Sequence, residues 1–154
     1  EQTTMEHKKI VLLGAGGAAK AIAHTLSHIE CKLTIINRDE EKAQKLAQTS
    51  NAQYSSFDDL SEVMKEVDIL INATTIGMHP DEHRCLVDAP LITPTMTVMD
   101  LVSNPQETEL LKRATAQGAQ VVYGKRMLLH QGIIKFKYYT GVEAPVEVME
   151  KAFI

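Results

Sequence analysis

Short apolar runs, most of them four to six residues long, recur along the chain with polar segments between them. They lie at residues 10–13, 33–36, 68–73, 97–102 and 119–122, with a weaker run at 52–55. Runs of this length that are rich in Val, Ile and Leu are typical of strands buried on both faces. The pattern therefore predicts six strands of a parallel sheet.

Segments with helical periodicity separate these strands. Apolar residues lie on one side of the predicted helices at residues 18–27, 39–48, 57–65, 107–117 and 127–139, and Pro145 opens a last helix. Because strands and helices alternate, the sequence predicts an α/β fold with a doubly wound parallel sheet of the Rossmann type, in three α/β/α layers. We expect residues 1–154 to form a single domain of this kind.

Residues that break regular structure are concentrated between positions 75 and 95, where Gly77, Pro80, Pro90 and Pro94 occur. Such a density of glycine and proline predicts a long loop. Long loops in compact domains tend to be functional, which makes this segment a candidate for function.

A glycine-rich turn, Gly14-Ala15-Gly16-Gly17-Ala18-Ala19, joins the first predicted strand to the first predicted helix. It fits the pattern G-x-G-x-x-[G/A]. In that pattern Gly14 permits the tight turn, Gly16 lets a pyrophosphate approach the backbone, and the small Ala19 lets the helix lie on the strand. The helix N-terminus then offers free N–H groups to phosphates. The turn predicts dinucleotide binding, with methyltransferases as the main competing class.

The end of the second predicted strand indicates which dinucleotide binds. Domains that prefer NAD place a carboxylate there for the adenosine ribose, whereas this chain has Asn37 and Arg38. Arg38 suits a 2′-phosphate, and Lys42 lies one helical turn later. A charge-assisted hydrogen bond of roughly 1.5–3 kcal/mol corresponds to about a tenfold to hundredfold preference, which favours NADP. The adjacent Asp39 opposes this unless it caps the following helix. The missing carboxylate also weakens the methyltransferase alternative.

Composition excludes several other classes of function. The formal net charge of −4 gives no basic footprint for nucleic acid. No apolar run approaches the ~20 residues that span a bilayer. Cys31 and Cys85 have no partners at metal-ligand spacing, and His79 and His83 flank Pro80, so we expect no metal site. We interpret the cysteines as reduced thiols of a cytoplasmic protein.

Six ordered segments resemble motifs of the shikimate dehydrogenase family. They are Gly14–Ala18 as the double-glycine turn, Asn37-Arg38 as the phosphate clamp N-R-[T/S], Asn72–Met78 as N-A-T-P-x-G-M, Asp100–Pro105 as D-x-x-Y-x-P, Gly124–Gln131 as G-x-x-M-L-x-x-Q, and Phe136 with Thr140-Gly141 as F-x-x-x-T-G. The resemblance covers essentially the whole chain. It implies an NADP-dependent oxidoreductase that reversibly reduces 3-dehydroshikimate to shikimate, in the pathway to chorismate and the aromatic amino acids.

The resemblance also implies roles for individual residues. Contact with the cofactor is implied for Gly14, Ala15, Gly16, Gly17 and Ala18 at the pyrophosphate, for Asn37, Arg38 and Lys42 at the adenosine end, for Ala73 and Thr74 along the dinucleotide, and for Leu101, Gly124 and Met127 by the nicotinamide. Contact with the substrate is implied for Gln131 and for position 103. Four residues also have purely structural interpretations: Asn72 as a strand-end cap, Met127 as core, Gln131 as surface, and Asp100 as the residue that orders the loop after its strand.

Three positions depart from the family pattern. Ser103 stands where the family usually has a substrate-facing Tyr, Thr75 replaces a common Pro, and Asp39 replaces a common Thr or Ser. These departures keep two alternatives open, a quinate/shikimate dehydrogenase that uses NAD and a stand-alone dinucleotide-sensing module without catalysis. A cofactor domain of the methylenetetrahydrofolate dehydrogenase type is a further alternative, against which the Gly124–Gln131 motif argues.

The resemblance assigns the proton-handling Lys and Asp of the family to an N-terminal substrate domain that is absent from this chain. We therefore expect no catalytic residue here, a substrate shared with the missing domain, and no turnover by this chain alone. In the family the last helix packs toward that domain. An exposed stripe of Val146, Met149 and Phe153 would then favour a homodimer.

Overall fold

The computed structural model of the chain describes residues 4–153, and a six-stranded parallel sheet forms its centre. The strands are Lys9–Leu13 (β1), Lys32–Ile36 (β2), Gln53–Ser55 (β3), Ile69–Asn72 (β4), Thr97–Asp100 (β5) and Gln120–Tyr123 (β6). Their order across the sheet is β3-β2-β1-β4-β5-β6, and every neighbouring pair is parallel. This is the strand order of the Rossmann fold, so the predicted fold class is confirmed.

Within residues 4–153, six α-helices accompany the strands. They are Gly17–Leu26 (α1), Glu40–Thr49 (α2), Leu60–Val63 (α3), Glu109–Ala116 (α4), Gly124–Thr140 (α5) and Val146–Phe153 (α6). The prediction of a helix over 57–65 is too long, because α3 has four residues and then tightens into a 3-10 turn at Met64–Glu66. Conversely, α5 begins three residues before its predicted start, directly after β6.

Two separate hydrophobic cores lie on the two faces of the sheet, as the doubly wound arrangement requires. Alternate residues of β1 point to opposite faces, so Val11 and Leu13 pack with α4, whereas Ile10 and Leu12 pack with α1 and α2. All four of these side chains are almost fully buried. Residues 10–13 of β1 therefore contribute side chains to both cores, which explains why this run contains no polar residue.

The segment between β4 and β5 is the predicted long loop, with a single 3-10 turn at Ala89–Leu91. Strict alternation of strand and helix therefore breaks at this connection. The loop still closes one face of the sheet, since Val87 and Ile92 are buried in the core. Arg113 of α4 donates a hydrogen bond from Nη1 to the Val87 carbonyl oxygen at 3.0 Å, which holds the loop against the helix.

The C-terminal helices α5 and α6 pack on each other more than on the sheet. Only Gly124 and Leu129 of α5 are buried. The expected amphipathic packing of this helix is therefore limited to its first turns. Apolar side chains of its remaining length that stay exposed are Ile134, Phe136, Tyr138 and Tyr139. Among the described residues, no helix combines the length and the apolar character needed to cross a bilayer.

Candidate functional site

The glycine turn lies where β1 ends between its neighbours β2 and β4. Gly14 has φ +112°, a conformation that L side chains rarely adopt, and a Cβ on it would lie 3.0 Å from the Ala73 carbonyl oxygen. The Gly14 N–H donates to the Ile36 carbonyl at 2.7 Å, and the Ala73 N–H donates to the Leu13 carbonyl at 2.8 Å. The turn is thus fastened to both neighbouring strands at the point where the direction of strand order reverses, the usual ligand crevice of this fold.

The second half of the turn is open. Gly16 is the N-cap of α1, and a Cβ on Gly16 or Gly17 would meet no atom within 4 Å. The first turn of α1 carries no acidic residue, so its N–H groups and positive dipole end face free space. Ala19 is completely buried, as expected of the small residue that lets helix and strand approach. The geometry fits a pyrophosphate over Gly16 and Gly17.

An open cleft of about 740 Å³ continues from the glycine turn between α1 and α2. Its lining includes Ala15 and Gly16 together with Asn37, Arg38 and Lys42, so the structure brings these predicted cofactor residues together. Arg38 is exposed and makes no ion pair or hydrogen bond within residues 4–153. Its guanidinium is therefore available for an anion.

Asp39 is the N-cap of α2, as one interpretation of the sequence proposed. Its Oδ1 accepts a hydrogen bond from the Lys42 N–H at 3.2 Å, and its Oδ2 lies 2.9 Å from Lys42 Nζ. The side-chain hydrogen bond with Lys42 is the main cause that lowers the pKa of Asp39. The charge of Lys42 is thus compensated within the protein, which leaves Arg38 as the stronger candidate for a phosphate.

A buried hydrogen-bond network of Asn72, Asp100 and Thr108 joins the carboxyl ends of β4 and β5. Asn72 Nδ2 donates to Asp100 Oδ1 at 3.0 Å, and Thr108 Oγ1 donates to Asp100 Oδ2 at 2.6 Å. Asp100 Oδ1 also accepts from the Val102 N–H at 3.0 Å. These contacts confirm that Asp100 orders the loop after its strand.

Asn72 orders the loop that follows β4, on the other side of this hydrogen-bond network. Its Oδ1 accepts hydrogen bonds from the Thr74 N–H at 3.1 Å and from Thr74 Oγ1 at 2.7 Å. The interpretation of Asn72 as a strand-end cap is therefore confirmed. Because the Thr74 hydroxyl and N–H are both used internally, its methyl group remains for contact with a dinucleotide, and that methyl lies next to Gly14.

Asp100 is fully buried, and this burial is the largest influence on its carboxyl group. Desolvation raises its pKa, and the hydrogen bonds from Thr108, Val102 and Asn72 oppose that rise. A group sealed in this way has no path to a substrate. Its contribution is to hold the loops that follow β4 and β5.

Gly124 begins α5 against the end of β5. A Cβ on Gly124 would lie 2.6 Å from the Leu101 carbonyl oxygen, a backbone collision that the structure could not absorb cheaply. Leu101 and Gly124, both predicted at the nicotinamide, are therefore neighbours. Residue type alone could not reveal this contact, because Gly124 has no positive φ and is 23 positions away in the chain.

The remaining predicted residues lie in α5 and in the loop that follows β5. Met127 is half-buried one turn into α5, which leaves its nicotinamide role a prediction. Gln131 is exposed one turn later, and Ser103 is half-buried in the loop after β5. Neither makes a side-chain hydrogen bond in the part of the chain that the structure describes. Their substrate roles likewise remain predictions.

Comparison with known proteins identifies relatives along the whole chain. The model of the family described as shikimate / quinate 5-dehydrogenase matches residues 1–116, and that of the shikimate 5′-dehydrogenase C-terminal domain matches residues 124–152. A protein of Methanosarcina barkeri named shikimate dehydrogenase (NADP(+)) is 42% identical, over 97% of this chain and 56% of its own length.

Solved structures agree. A shikimate dehydrogenase crystallised with NADP+ is 41% identical and superposes with a TM-score of 0.85, over 96% of this chain and 54% of that one. Quinate dehydrogenase from Corynebacterium glutamicum, crystallised with NAD, is 33% identical with a TM-score of 0.88, over 96% and 55% of the two chains. The chain spans about half the length of these relatives. It belongs to the shikimate/quinate 5-dehydrogenase family.

Proposed function

We propose that this chain is the NADP(H)-binding half of a shikimate dehydrogenase, which reversibly reduces 3-dehydroshikimate to shikimate. The observation that carries the proposal is the open glycine turn that leads into a cleft with Arg38, whose side chain has no ion pair among the described residues 4–153. A 2′-phosphate distinguishes NADP from NAD, and a free guanidinium at the adenosine end is suited to bind it. The names of the curated relatives, which specify NADP(+), support the same cofactor.

In this proposal each part of the site has one task. The backbone of Gly14–Ala18 binds the pyrophosphate, and Arg38 with Asn37 binds the adenosine end. Ala73, Thr74, Leu101, Gly124 and Met127 border the dinucleotide and orient its nicotinamide. Bound NADPH supplies the hydride that reduces the substrate carbonyl. Gln131 and Ser103 face that substrate, a small molecule, and neither nucleic acid nor a membrane is a partner.

Carbonyl reduction also needs a proton donor on the substrate side, and we propose that this chain lacks one. Lys9 lies at the amino end of β1, opposite to the glycine turn, and pairs with Glu66. Lys65 pairs with Glu62. The proton donor then belongs to a substrate domain in the half of the relatives that this chain does not cover. Both cysteines are free, in keeping with the cytoplasmic location that we also propose.

Calorimetric titration of the purified chain with NADP and NAD tests the cofactor. We expect NADP to bind at least about tenfold more tightly. Arg38→Ala should remove most of that preference by weakening NADP while NAD binding changes little. Arg84→Ala, which removes an exposed arginine of the long loop, is the matched control. Preference of the unaltered chain for NAD would contradict the proposal.

A direct spectrophotometric assay of NADPH oxidation tests the proposed inactivity. The purified chain with NADPH and 3-dehydroshikimate should show no oxidation of NADPH, although NADPH binds. Measurable turnover that survives further purification would show that a proton donor is present and would overturn the division of labour proposed here.

One observation favours a second candidate, a quinate/shikimate dehydrogenase that uses NAD. Asp39 stands beside Arg38 and occupies Lys42, which reduces the positive charge available to a 2′-phosphate. The similarity to a quinate dehydrogenase crystallised with NAD is consistent with it. The titration above separates the two, because this candidate requires NAD to bind at least as tightly as NADP.

A further inference from the structure

The cleft between α1 and α2 contains four cationic side chains that differ in their partners. Lys42 pairs with Asp39, and Lys45 pairs with Glu41 at 2.6 Å. Arg38 and Lys20 make no ion pair within residues 4–153. Arg38 reaches the cleft from the end of β2, whereas Lys20 reaches it from the wall formed by α1.

The position of Lys20 follows from helical geometry. Lys20 is four residues after Gly16, and its N–H donates to the Gly16 carbonyl at 2.9 Å. Residues four apart lie on one face of a helix, so Lys20 stands directly behind the open glycine turn. His24, one turn further, lines the same cleft, as do Leu46 and Thr49 of α2. Lys20 thus lines the same cleft as Gly16 of the glycine turn and Arg38 of the adenosine end.

Charge balance indicates which ligand needs Lys20. A phosphate monoester carries a charge of about −1.5 to −2 at pH 7. The Lys42–Asp39 pair is neutral as a unit, and so is the Lys45–Glu41 pair. Arg38 alone would compensate only about half of the charge of a 2′-phosphate. Lys20 supplies the second uncompensated positive charge in the same cleft.

We propose that Lys20 is a specificity residue for NADP, which binds the 2′-phosphate from the α1 wall opposite Arg38. The 2′-phosphate is held between these two side chains, and Lys42 keeps its partner Asp39. This inference rests on the proposed function of the chain as an NADP-binding domain, and it adds a residue to the cofactor site that the glycine turn and the phosphate clamp do not include.

Two nucleotides that differ only in the 2′-phosphate test the proposal. 2′,5′-ADP and 5′-AMP are titrated separately into the unaltered chain and into Lys20→Met, since Met keeps the length and helix propensity of Lys without its charge. We expect Lys20→Met to weaken 2′,5′-ADP by about tenfold and to change 5′-AMP by less than about twofold. Lys20→Arg should restore most of the affinity for 2′,5′-ADP.

Lys45→Met is the matched control, because it removes one lysine of the same cleft whose charge is already compensated by Glu41. It should affect both nucleotides by less than about twofold. Circular dichroism of each variant verifies the fold. The preference for 2′,5′-ADP should also fall with added salt, less steeply in Lys20→Met than in the unaltered chain.

Three outcomes of these titrations would contradict the proposal for Lys20. Equal weakening of both nucleotides by Lys20→Met would assign Lys20 to the 5′-phosphate, which is part of the pyrophosphate in NADP, and would overturn the proposal. Unchanged affinity for 2′,5′-ADP would overturn it as well. If the unaltered chain binds 2′,5′-ADP no better than 5′-AMP, the NADP assignment itself fails, and this inference fails with it.

Discussion

At the scale of single residues, the two marked glycines of the turn serve different purposes. Gly14 is needed by the fold, because its φ of +112° and the Ala73 carbonyl 3.0 Å away leave no place for a side chain. For Gly16 the fold sets no such limit, because a Cβ there would enter open space, so in the function proposed above it is the ligand that needs this glycine. The same residue type is thus required at two positions for unrelated reasons.

A pair of substitutions separates these reasons. Gly14→Ala should lower the free energy of unfolding by about 1–3 kcal/mol, because alanine at that φ is strained and crowded. Gly16→Ala should leave stability within about 0.5 kcal/mol and yet abolish detectable binding of NADP. Chemical denaturation and calorimetric titration measure the two effects. Equal loss of stability in both variants would contradict this assignment.

Asp100 provides a second test at the residue scale, through the pH dependence of stability. Burial raises its pKa in the folded state above the ordinary value, so the folded protein takes up a proton more readily than the unfolded chain. The free energy of unfolding should therefore fall as pH rises from the unfolded pKa, ~3.9, through the raised folded pKa. Asn at this position keeps the shape and cannot ionise.

We expect the difference in unfolding free energy between Asp100→Asn and the unaltered chain to shift in favour of the variant as pH rises from about 4 to 7. Asp68→Asn is the contrasting control. The pKa of Asp68 is lowered, chiefly by the Lys9 N–H, so this variant should instead lose relative stability as pH rises through the lowered folded pKa to the unfolded pKa, ~3.9. Urea denaturation at several pH values measures both, and parallel curves would contradict the opposite signs.

At the scale of elements, the sequence predicted strands better than helix lengths. β1 and β4 are apolar runs that are buried on both faces of the sheet, and a run of this kind can be recognised from the local sequence alone. The helix over 57–65 was wrong in length, because the chain must turn through Met64–Glu66 to enter β4. The hydrogen bond between Asn72 and Asp100 joins residues that are 28 positions apart, and only the parallel pairing of β4 with β5 makes them neighbours. Local patterns carry no information about such pairs.

At the scale of the whole molecule, the surface of α5 and α6 differs from the rest of the chain. Ile134 and Tyr138 lie four residues apart on α5 and are 69% and 83% exposed, and Val148 of α6 is 66% exposed. The predicted stripe of Val146, Met149 and Phe153 is only partly described, since the side chain of Phe153 lies outside the described residues; Val146 is exposed and Met149 is half-buried. Apolar area of this kind promotes association when it has no cover.

We expect the chain alone to form dimers or larger species at high concentration through this surface. The double substitution Ile134→Ser with Tyr138→Ser should shift sedimentation toward the monomer, because it removes two strongly exposed apolar groups of α5. Tyr54→Ser, which alters an exposed tyrosine of the edge strand β3, is the control and should leave association unchanged. A monomeric unaltered chain at high concentration would contradict the expectation.

The division of the interior into two cores has a consequence for how this sequence can evolve. Leu12 and Leu13 are adjacent in the chain, yet one packs with α1 and α2 and the other with α4 and the long loop. A change of volume at Leu13 is felt by Leu111, far away in sequence, rather than by its neighbour. Natural substitutions should therefore co-vary among positions on the same face of the sheet and vary independently between the two faces. Along β1, where successive residues point to opposite faces, alternate positions should belong to two sets that evolve independently.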